Sequence, residues 1–296
     1  MSLVRPLIAL VAAGAVIGGG VFWWVTEPDN LPADTFAGLS ADAARGQTVF
    51  TAAGCASCHM AVGATGDAAL VLTGGQPFAS DFGTFIAPNI SSDATHGIGG
   101  WSVQDLGNAL MRGVSTQGQH YYPALPYASY IHMQPQDVAD LHAYMQTLPA
   151  SAEPSRPHEV SFPFSWRRVL GGWKFLFLRD DWVLADAPTP ELERGRYIVE
   201  AEAHCGECHT PRNALGGMET GRWLAGVAGP GGAPDIRPGT LDWSEDEIVE
   251  YLTSGFTPDY DSVGGHMSHV VENMAALPDS DRQAVAAYLK AVPAAE

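Results

Sequence analysis

The four cysteines of the chain lie in two short patterns of the same spacing, and each pattern ends in a histidine. They are Cys55, Cys58 and His59 in the first pattern, and Cys205, Cys208 and His209 in the second. Cys-x-x-Cys-His is the spacing of covalent haem c attachment, in which two thiols add to the vinyl groups of the porphyrin. The histidine supplies the proximal ligand of the iron. The sequence therefore predicts two haem c groups, each held by one motif.

Two other uses of paired cysteines fit this chain poorly. Zinc modules with four cysteines place their two pairs about 15–20 residues apart, whereas here about half the chain separates them. A thioredoxin-like redox pair needs a βαβ context, which the sequence pattern does not show. Because the two haems consume all the cysteines, no thiol is left for a disulfide or for nucleophilic catalysis.

The second motif has a candidate for the sixth ligand of its iron. Haems that carry electrons often pair histidine with a methionine sulfur, which raises the reduction potential. Met267 follows two glycines that let the loop approach the haem, and it precedes the predicted last helix. We therefore predict that His209 and Met267 coordinate the second iron. His266, His269 and Met274 remain as alternatives, and Met274 is interpreted as a core residue.

The first motif leaves its sixth ligand open between several residues. Leu125 stands where a methionine is expected by comparison with the second motif. Met133 is the favoured ligand of the first iron, with His120, His132 and Met111 as alternatives. An iron without a strong sixth ligand can bind small molecules, so an open site is also kept as a hypothesis.

The residues that flank the two motifs recur in the same order. The first copy contains Arg45-Gly46, Ala87-Pro88-Asn89-Ile90, Trp101-Ser102 and Ala143-Tyr144; the second contains Arg194-Gly195, Ala233-Pro234-Asp235-Ile236, Trp243-Ser244 and Ala287-Tyr288. Such a repeat indicates a duplicated structural unit. We predict one haem domain over residues 41–150 and a second over residues 188–296.

Short helices are predicted around each haem. One helix over residues 41–53 leads into the first motif, and one over residues 191–203 leads into the second. The last helix of each unit has apolar residues at helical spacing and a proline at its start. Capping-box patterns precede the middle helices, at Ser102 with Asp105 and at Ser244 with Glu247.

Residues 151–187 connect the two units and are rich in proline and aromatic side chains. This composition is unlike that of a flexible linker. We predict a strap that packs across both units and fixes their relative geometry, without an electronic role of its own.

An uncharged apolar run covers residues 6–25, about as long as the ~20 residues that span a bilayer as a helix. Arg5 and the amino terminus precede it, and acidic residues follow it. The positive-inside rule then places the haem domains on the periplasmic side of a bacterial inner membrane. We predict a transmembrane anchor over residues 1–26 and a linker over residues 27–40. A cleaved signal peptide is the alternative, although its apolar region is usually only about 7–15 residues long.

The charge balance limits the partners of the chain. There are 33 acidic residues against 15 lysines and arginines, which gives a formal net charge of -18. A chain this acidic does not attract the phosphate backbone of a nucleic acid, so that class of function is excluded. The same charge predicts redox protein partners with basic docking faces.

Several further motifs point to one family. They are Pro88-Asn89-Ile90, Tyr122-Pro123-Ala124, Phe162-Pro163-Phe164, Gly172-Trp173-Lys174 and the run from Thr210 to Gly216. Over about residues 40–296 the chain resembles the cytochrome c subunits of bacterial membrane-bound dehydrogenases, of the quinoprotein alcohol, flavoprotein gluconate or fructose, and molybdenum aldehyde types. The resemblance implies an all-α fold of two tandem class I cytochrome c domains, here behind one N-terminal transmembrane helix.

Two departures from this family bear on function. Its members commonly carry three haems, whereas this sequence has two haem motifs. Many members also have methionine at the position of Leu125, so the family ligand does not transfer to the first haem. The methionine of the family's second domain does transfer, to Met267.

The sequence thus predicts a membrane-anchored dihaem cytochrome that relays electrons and is not itself a catalyst. Its donor would be a dehydrogenase or another respiratory or photosynthetic complex, and its acceptor a cytochrome, a quinone or an oxidase. The alternative is a dihaem enzyme similar to a peroxidase or a thiosulfate dehydrogenase, with the first haem as its reactive site.

Overall fold

The structure is a computed structural model that describes residues 4–229 and 231–295. Its first element is an exposed apolar helix. Helix α1 covers Val4–Val25. Its segment Leu7–Val25 has a mean hydropathy of 2.0, and none of that segment is buried. The helix coincides with the predicted apolar run. The charges that orient the run, on Arg5 and the amino terminus, lie outside the residues whose side chains are described.

The first repeat unit is built around two crossing helices. It contains α2 (Ala43–Ala52), α3 (Cys55–His59), α4 (Val103–Arg112), α5 (Tyr127–Tyr130) and α6 (Pro135–Met145), with a 3-10 turn over Gly66–Val71. Helix α2 crosses α6 so closely that a Cβ on Gly46 would lie 1.9 Å from the carbonyl oxygen of Asp140. The glycine therefore lets the helix before the first motif rest directly on the last helix of the unit.

A small hairpin interrupts the otherwise helical first unit. Strand β1 (Pro77–Ser80) pairs antiparallel with β2 (Gly83–Ile86). The sequence pattern predicts only helices in this unit. Thr84 of the hairpin also exchanges backbone hydrogen bonds of 3.1 and 2.9 Å with Glu159, a residue far along the chain. No local pattern reveals such a pairing.

The connecting segment contacts both units, as predicted. It contains helix α7 (Val169–Phe177). The indole nitrogen of Trp173 donates to the carbonyl oxygen of Leu215 in the second unit at 3.0 Å. The ammonium group of Lys174 donates to the carbonyl oxygen of Gly113 in the first unit at 2.8 Å.

The second unit repeats the crossing of the first. It contains α8 (Pro190–Arg196), a π-helical segment (Tyr197–Glu202), α9 (Gly206–His209), a 3-10 turn (Thr220–Arg222), α10 (Glu245–Ser254), α11 (Met267–Ala275) and α12 (Asp279–Ala291). A Cβ on Gly195 would lie 2.0 Å from the carbonyl oxygen of Ala284. Helix α8 therefore contacts α12 as α2 contacts α6.

The predicted helix boundaries need two corrections. The first helix begins at Ala43, because the side chain of Asp42 caps it by accepting from the backbone of Ala44 and Arg45. In the second unit, the helix predicted over residues 191–203 changes to π geometry after Arg196. All residues of that π segment are buried, including two glutamates that a regular amphipathic helix would expose.

The capping boxes are confirmed at both predicted places. The Ser102 and Ser244 hydroxyls accept from the backbone of Asp105 and Glu247, whose carboxylates accept in return from the serine backbone. Each unit then encloses its own apolar core. The two largest side chains that are fully buried are tyrosines, one in each unit, Tyr127 and Tyr288.

Candidate haem c sites

The proximal histidines of the two motifs are held in the same way. The Nδ1 atom of His59 donates to the carbonyl oxygen of Pro88 at 2.9 Å, and that of His209 donates to Pro234 at 2.8 Å. This bond fixes the tautomer and the ring orientation and leaves Nε2 as the free lone pair. Burial lowers the pKa of both imidazoles, which favours the neutral form that binds iron. Both rings are thus prepared to accept an iron on Nε2.

A tight loop brings each proline carbonyl to its histidine. The backbone nitrogen of Gly74 donates to the carbonyl oxygen of His59, and that of Gly226 to His209, both at 2.7 Å. The two glycines have φ of 78° and 74°, a left-handed conformation that favours glycine. A Cβ on Gly74 would also lie 2.5 Å from the backbone of Ala87 and Pro88. These positions therefore need glycine.

The cysteines lie where a porphyrin edge can reach them. Cys55 and Cys205 are half-buried, while Cys58 and Cys208 are exposed. Burial raises the pKa of Cys55 and of Cys205 to about 12. Each motif thus presents two thiols beside one oriented imidazole, which is the donor set that haem c requires.

Met267 is the first residue of α11 and packs, half-buried, against the core of the second unit. The alternatives are engaged elsewhere. The ring of His266 lies 6.0 Å from that of Phe78, His269 pairs with Glu272 at 3.1 Å, and Met274 is buried in the core. These placements leave Met267 as the best candidate, and its ligation stays a prediction.

Near the first motif, Met133 is buried in the core of its unit, and Leu125 packs against the same core. The alternative histidines are tied to other partners. Nε2 of His120 hydrogen-bonds to the carbonyl oxygen of Thr26 at 3.0 Å, and the ring of His132 stacks on Trp182 with 4.3 Å between centroids. Met133 thus stays the favoured ligand, and its ligation also remains a prediction.

The two motifs face each other across the boundary between the units. The amide of Asn273 donates to the hydroxyl of Ser57, inside the first motif, at 3.0 Å. The ring of Tyr130 in the first unit lies 5.5 Å from that of His204, which directly precedes the second motif. This arrangement is not predictable from the sequence, because nothing in the spacing of these residues connects the two motifs.

A buried hydrogen-bond network supports the second motif. The ring of Trp223 packs on α9, since a Cβ on Gly206 would lie 2.1 Å from it. Its indole nitrogen donates to the hydroxyl of Tyr288 at 3.0 Å, and that hydroxyl donates to the carboxylate of Glu200 at 2.6 Å. The carboxylate also accepts from the backbone nitrogens of Val183 and Leu184 at 2.6 and 3.0 Å. The strap, the π segment and α12 are thereby joined behind the haem site.

A second buried carboxylate lies in the same π segment. Arg194 donates to Glu202 and to Asp281, both at 2.8 Å. Burial raises the pKa of Glu202 to about 7, although the charge of Arg194 acts in the opposite direction. Two buried acids thus share one guanidinium group, and one of them can take up a proton near neutral pH.

Comparisons with known proteins agree with this geometry. Residues 43–149 and 192–293 match the family model for cytochrome c. A protein described as diheme cytochrome c-type from Cereibacter sphaeroides is 55% identical over 99% of both chains. The fructose dehydrogenase cytochrome subunit of Gluconobacter japonicus is 33% identical over 99% of this chain and 61% of its own length. The gluconate 2-dehydrogenase cytochrome c subunit of Pantoea cypripedii is 35% identical over 88% and 63%. The chain therefore spans less than two thirds of these dehydrogenase subunits.

Proposed function

Because the chain belongs to the cytochrome c family and carries two covalently bound haem c groups, we propose that it relays electrons between periplasmic redox proteins while anchored in the inner membrane of a bacterium. The haems supply the one-electron chemistry when bound. The protein contributes their position, their axial ligands and their exposure, which together set the reduction potentials.

The facing of the two motifs is the observation that supports the relay most directly. The contact between Asn273 and Ser57 and the ring contact between Tyr130 and His204 join the segments that hold the two haems. Two haem attachment sites in such proximity favour transfer of an electron from one to the other.

The placement of the side chains supports the following residue roles. His59 and His209 are the proximal ligands, and the carbonyl groups of Pro88 and Pro234 orient them. Met267 would hold the second iron together with His209, and Met133 would hold the first iron together with His59. We place the two haem domains at residues 41–150 and 188–296, with residues 151–187 as the connecting strap.

Helix α1 is the membrane anchor in this proposal. Its length and its exposed apolar surface support a span, and two tryptophans, Trp23 and Trp24, end it where aromatic residues favour the bilayer interface. The haem domains follow on the periplasmic side. Residues 27–40 then lead from the span to the first haem domain.

The partners are proposed from charge and from relatives. The net charge of -18 favours partners with basic docking faces. Two of the similar proteins are cytochrome subunits of a fructose dehydrogenase and a gluconate 2-dehydrogenase. A dehydrogenase is therefore the favoured donor, and a cytochrome, a quinone or an oxidase the acceptor.

The test uses the full haem-loaded chain in lipid nanodiscs. A photochemical reductant injects one electron, and the absorbance of the haems is followed as the electron distributes between them. The relay predicts redistribution whose rate does not depend on protein concentration. The matched experiment adds peroxide or thiosulfate in steady state. Catalytic turnover there, with no redistribution after the flash, would contradict the relay and support the alternative of a dihaem enzyme.

A further inference from the structure

A basic and aromatic segment stands out within the connecting strap. Residues 160–179 contain four cationic side chains and no acidic one, in a chain with a net charge of -18. The same residues contain six aromatic side chains. A segment that combines cations with aromatic residues in this way is typical of elements that lie in a membrane interface. We call residues 160–179 the basic-aromatic segment.

The segment has an inner side that packs on the protein. Leu170 and Gly171 are buried. The Tyr122 hydroxyl donates to the backbone of Phe164 at 3.1 Å, and Arg167 donates to the carbonyl oxygen of His120 at 3.1 Å. The backbone of the segment is therefore held firmly against the first unit.

The outer side of the same segment is apolar and exposed. Phe162 is 80% exposed and Phe175 is 65% exposed. Three further large apolar side chains are also exposed: Phe164, Trp166 and Leu176. Single exposed apolar residues are common on proteins, but a cluster of large ones marks a surface that contacts something.

This exposed surface continues directly from the end of α1. The ring of Trp166 lies 5.5 Å from that of Phe22. Arg168 donates to the Thr26 hydroxyl at 2.8 Å and to the carbonyl oxygen of Trp23, and its guanidinium lies 4.3 Å from the ring centre of Trp23. The point where α1 leaves the membrane is thus joined to the basic-aromatic segment.

We propose that the outer side of the basic-aromatic segment lies in the headgroup layer of the bilayer, beside α1, as a second membrane contact. Its occupant is a phospholipid surface with anionic lipids. A patch joined to the last turn of a spanning helix meets the lipid headgroups first. Lys174 and Arg167 are turned into the first unit, so the cations that complement anionic lipids are the exposed Arg179 and Arg168 beside Trp23. The inference rests on the proposed anchoring by α1.

This contact determines how the haem domains stand on the membrane. Through Arg167, His120 and Thr26, the first unit is connected to both the segment and the end of α1. The first haem domain would therefore sit against the bilayer with a fixed orientation, and would not swing freely on residues 27–40.

The experiment measures immersion depth with spin labels on single introduced cysteines. Because both haems consume the native thiols, each introduced cysteine is the only reactive one. Phe162→Cys and Phe175→Cys probe the segment, Val16→Cys probes α1, and Val62→Cys and Tyr260→Cys replace exposed residues elsewhere. Each full-length variant is first checked for two haems, then placed in vesicles of phosphatidylcholine and phosphatidylglycerol. Collision of the label with oxygen and with a water-soluble nickel chelate is compared by EPR.

We expect labels at positions 162 and 175 to collide more with oxygen than with the nickel chelate, as the label at position 16 does. The order should be reversed at positions 62 and 260. Suppose that the label at position 16 is exposed to lipid while the labels at positions 162 and 175 collide more with the nickel chelate, as those at positions 62 and 260 do. The inference is then wrong, although the membrane anchor is still supported. Shielding of 162 and 175 from both reagents would indicate a protein partner and also overturn it. A water-exposed label at position 16 would contradict the anchor itself.

Discussion

Removing one hydroxyl group from the second unit should destabilise it far more than the same change in the first. Tyr288 and Tyr144 occupy equivalent positions of the repeat. The Tyr288 hydroxyl accepts from Trp223 and donates to Glu200. The Tyr144 ring packs on that of Phe50, with 5.2 Å between centroids, and against the apolar core of its unit. Among the described residues, its hydroxyl makes no hydrogen bond.

The magnitude follows from the groups that Tyr288→Phe leaves behind. The buried N–H of Trp223 loses its acceptor, which costs about 1–3 kcal/mol. Glu200 loses one of its three donors but keeps the backbone nitrogens of Val183 and Leu184, so that loss lies near the low end of the ~1.5–3 kcal/mol typical of bonds to charged groups. The two losses together predict that the unfolding free energy of the second unit falls by about 3 kcal/mol.

The assay is guanidinium unfolding of the haem-loaded full chain, followed by circular dichroism. With a slope of about 4 kcal/mol/M, the midpoint of the second unit should fall by roughly 0.5–1 M. Tyr144→Phe is the matched control, and it should lower the unfolding midpoint of the first unit far less. Equal shifts in the two variants would refute the reasoning, because the buried network would then contribute nothing beyond ring packing.

Three further predictions concern pH, ligation and docking. Burial raises the pKa of Glu202 from its ordinary value of 4.5 to about 7 in the fold. Its ionisation therefore opposes folding, and the unfolding free energy should fall by about 3 kcal/mol as pH rises from about 4.5 to about 7. Denaturation curves at pH 5 and pH 8 should show this fall in the natural sequence and not in Glu202→Gln. The same dependence on pH in both proteins would contradict the prediction. Met267→Ala should abolish one low-spin histidine–methionine signal in near-infrared magnetic circular dichroism, while Met274→Ala should keep it and lower stability by about 2–5 kcal/mol; an unchanged spectrum for Met267→Ala would rule out its ligation. Electron transfer to a basic mitochondrial-type cytochrome c should slow as ionic strength rises. A rate that does not change with salt concentration would exclude electrostatic docking.

Local spacing was sufficient to predict the parts of this protein whose chemistry is local. The Cys-x-x-Cys-His motifs and the capping boxes depend on residues a few positions apart, and the repeat is visible as the same short motifs in the same order in both halves of the chain. The two close helix crossings occur at Gly46 and Gly195, and each of these residues is the glycine of an Arg-Gly pair of the repeat. A glycine at the same place in both copies is visible in the sequence, but its contact with Asp140 or Ala284 is not.

The features that escaped prediction depend on distant contacts. The hairpin is joined to the connecting segment by the pairing of Thr84 with Glu159. The π segment turns Glu200 towards the backbone of the strap. The facing of the two motifs, through Asn273 and Ser57, joins residues on opposite halves of the chain. In each case the partner is set by tertiary packing, which no periodicity in the sequence encodes.

The most direct test of the relay is the coordination state of both irons in the oxidised full chain. Near-infrared magnetic circular dichroism combined with EPR distinguishes methionine ligation from histidine ligation and from an open site. We expect two low-spin haems, each with one histidine and one methionine ligand: His59 with Met133 on the first iron, and His209 with Met267 on the second. A high-spin first haem would contradict the account and would instead indicate a reactive site at that iron.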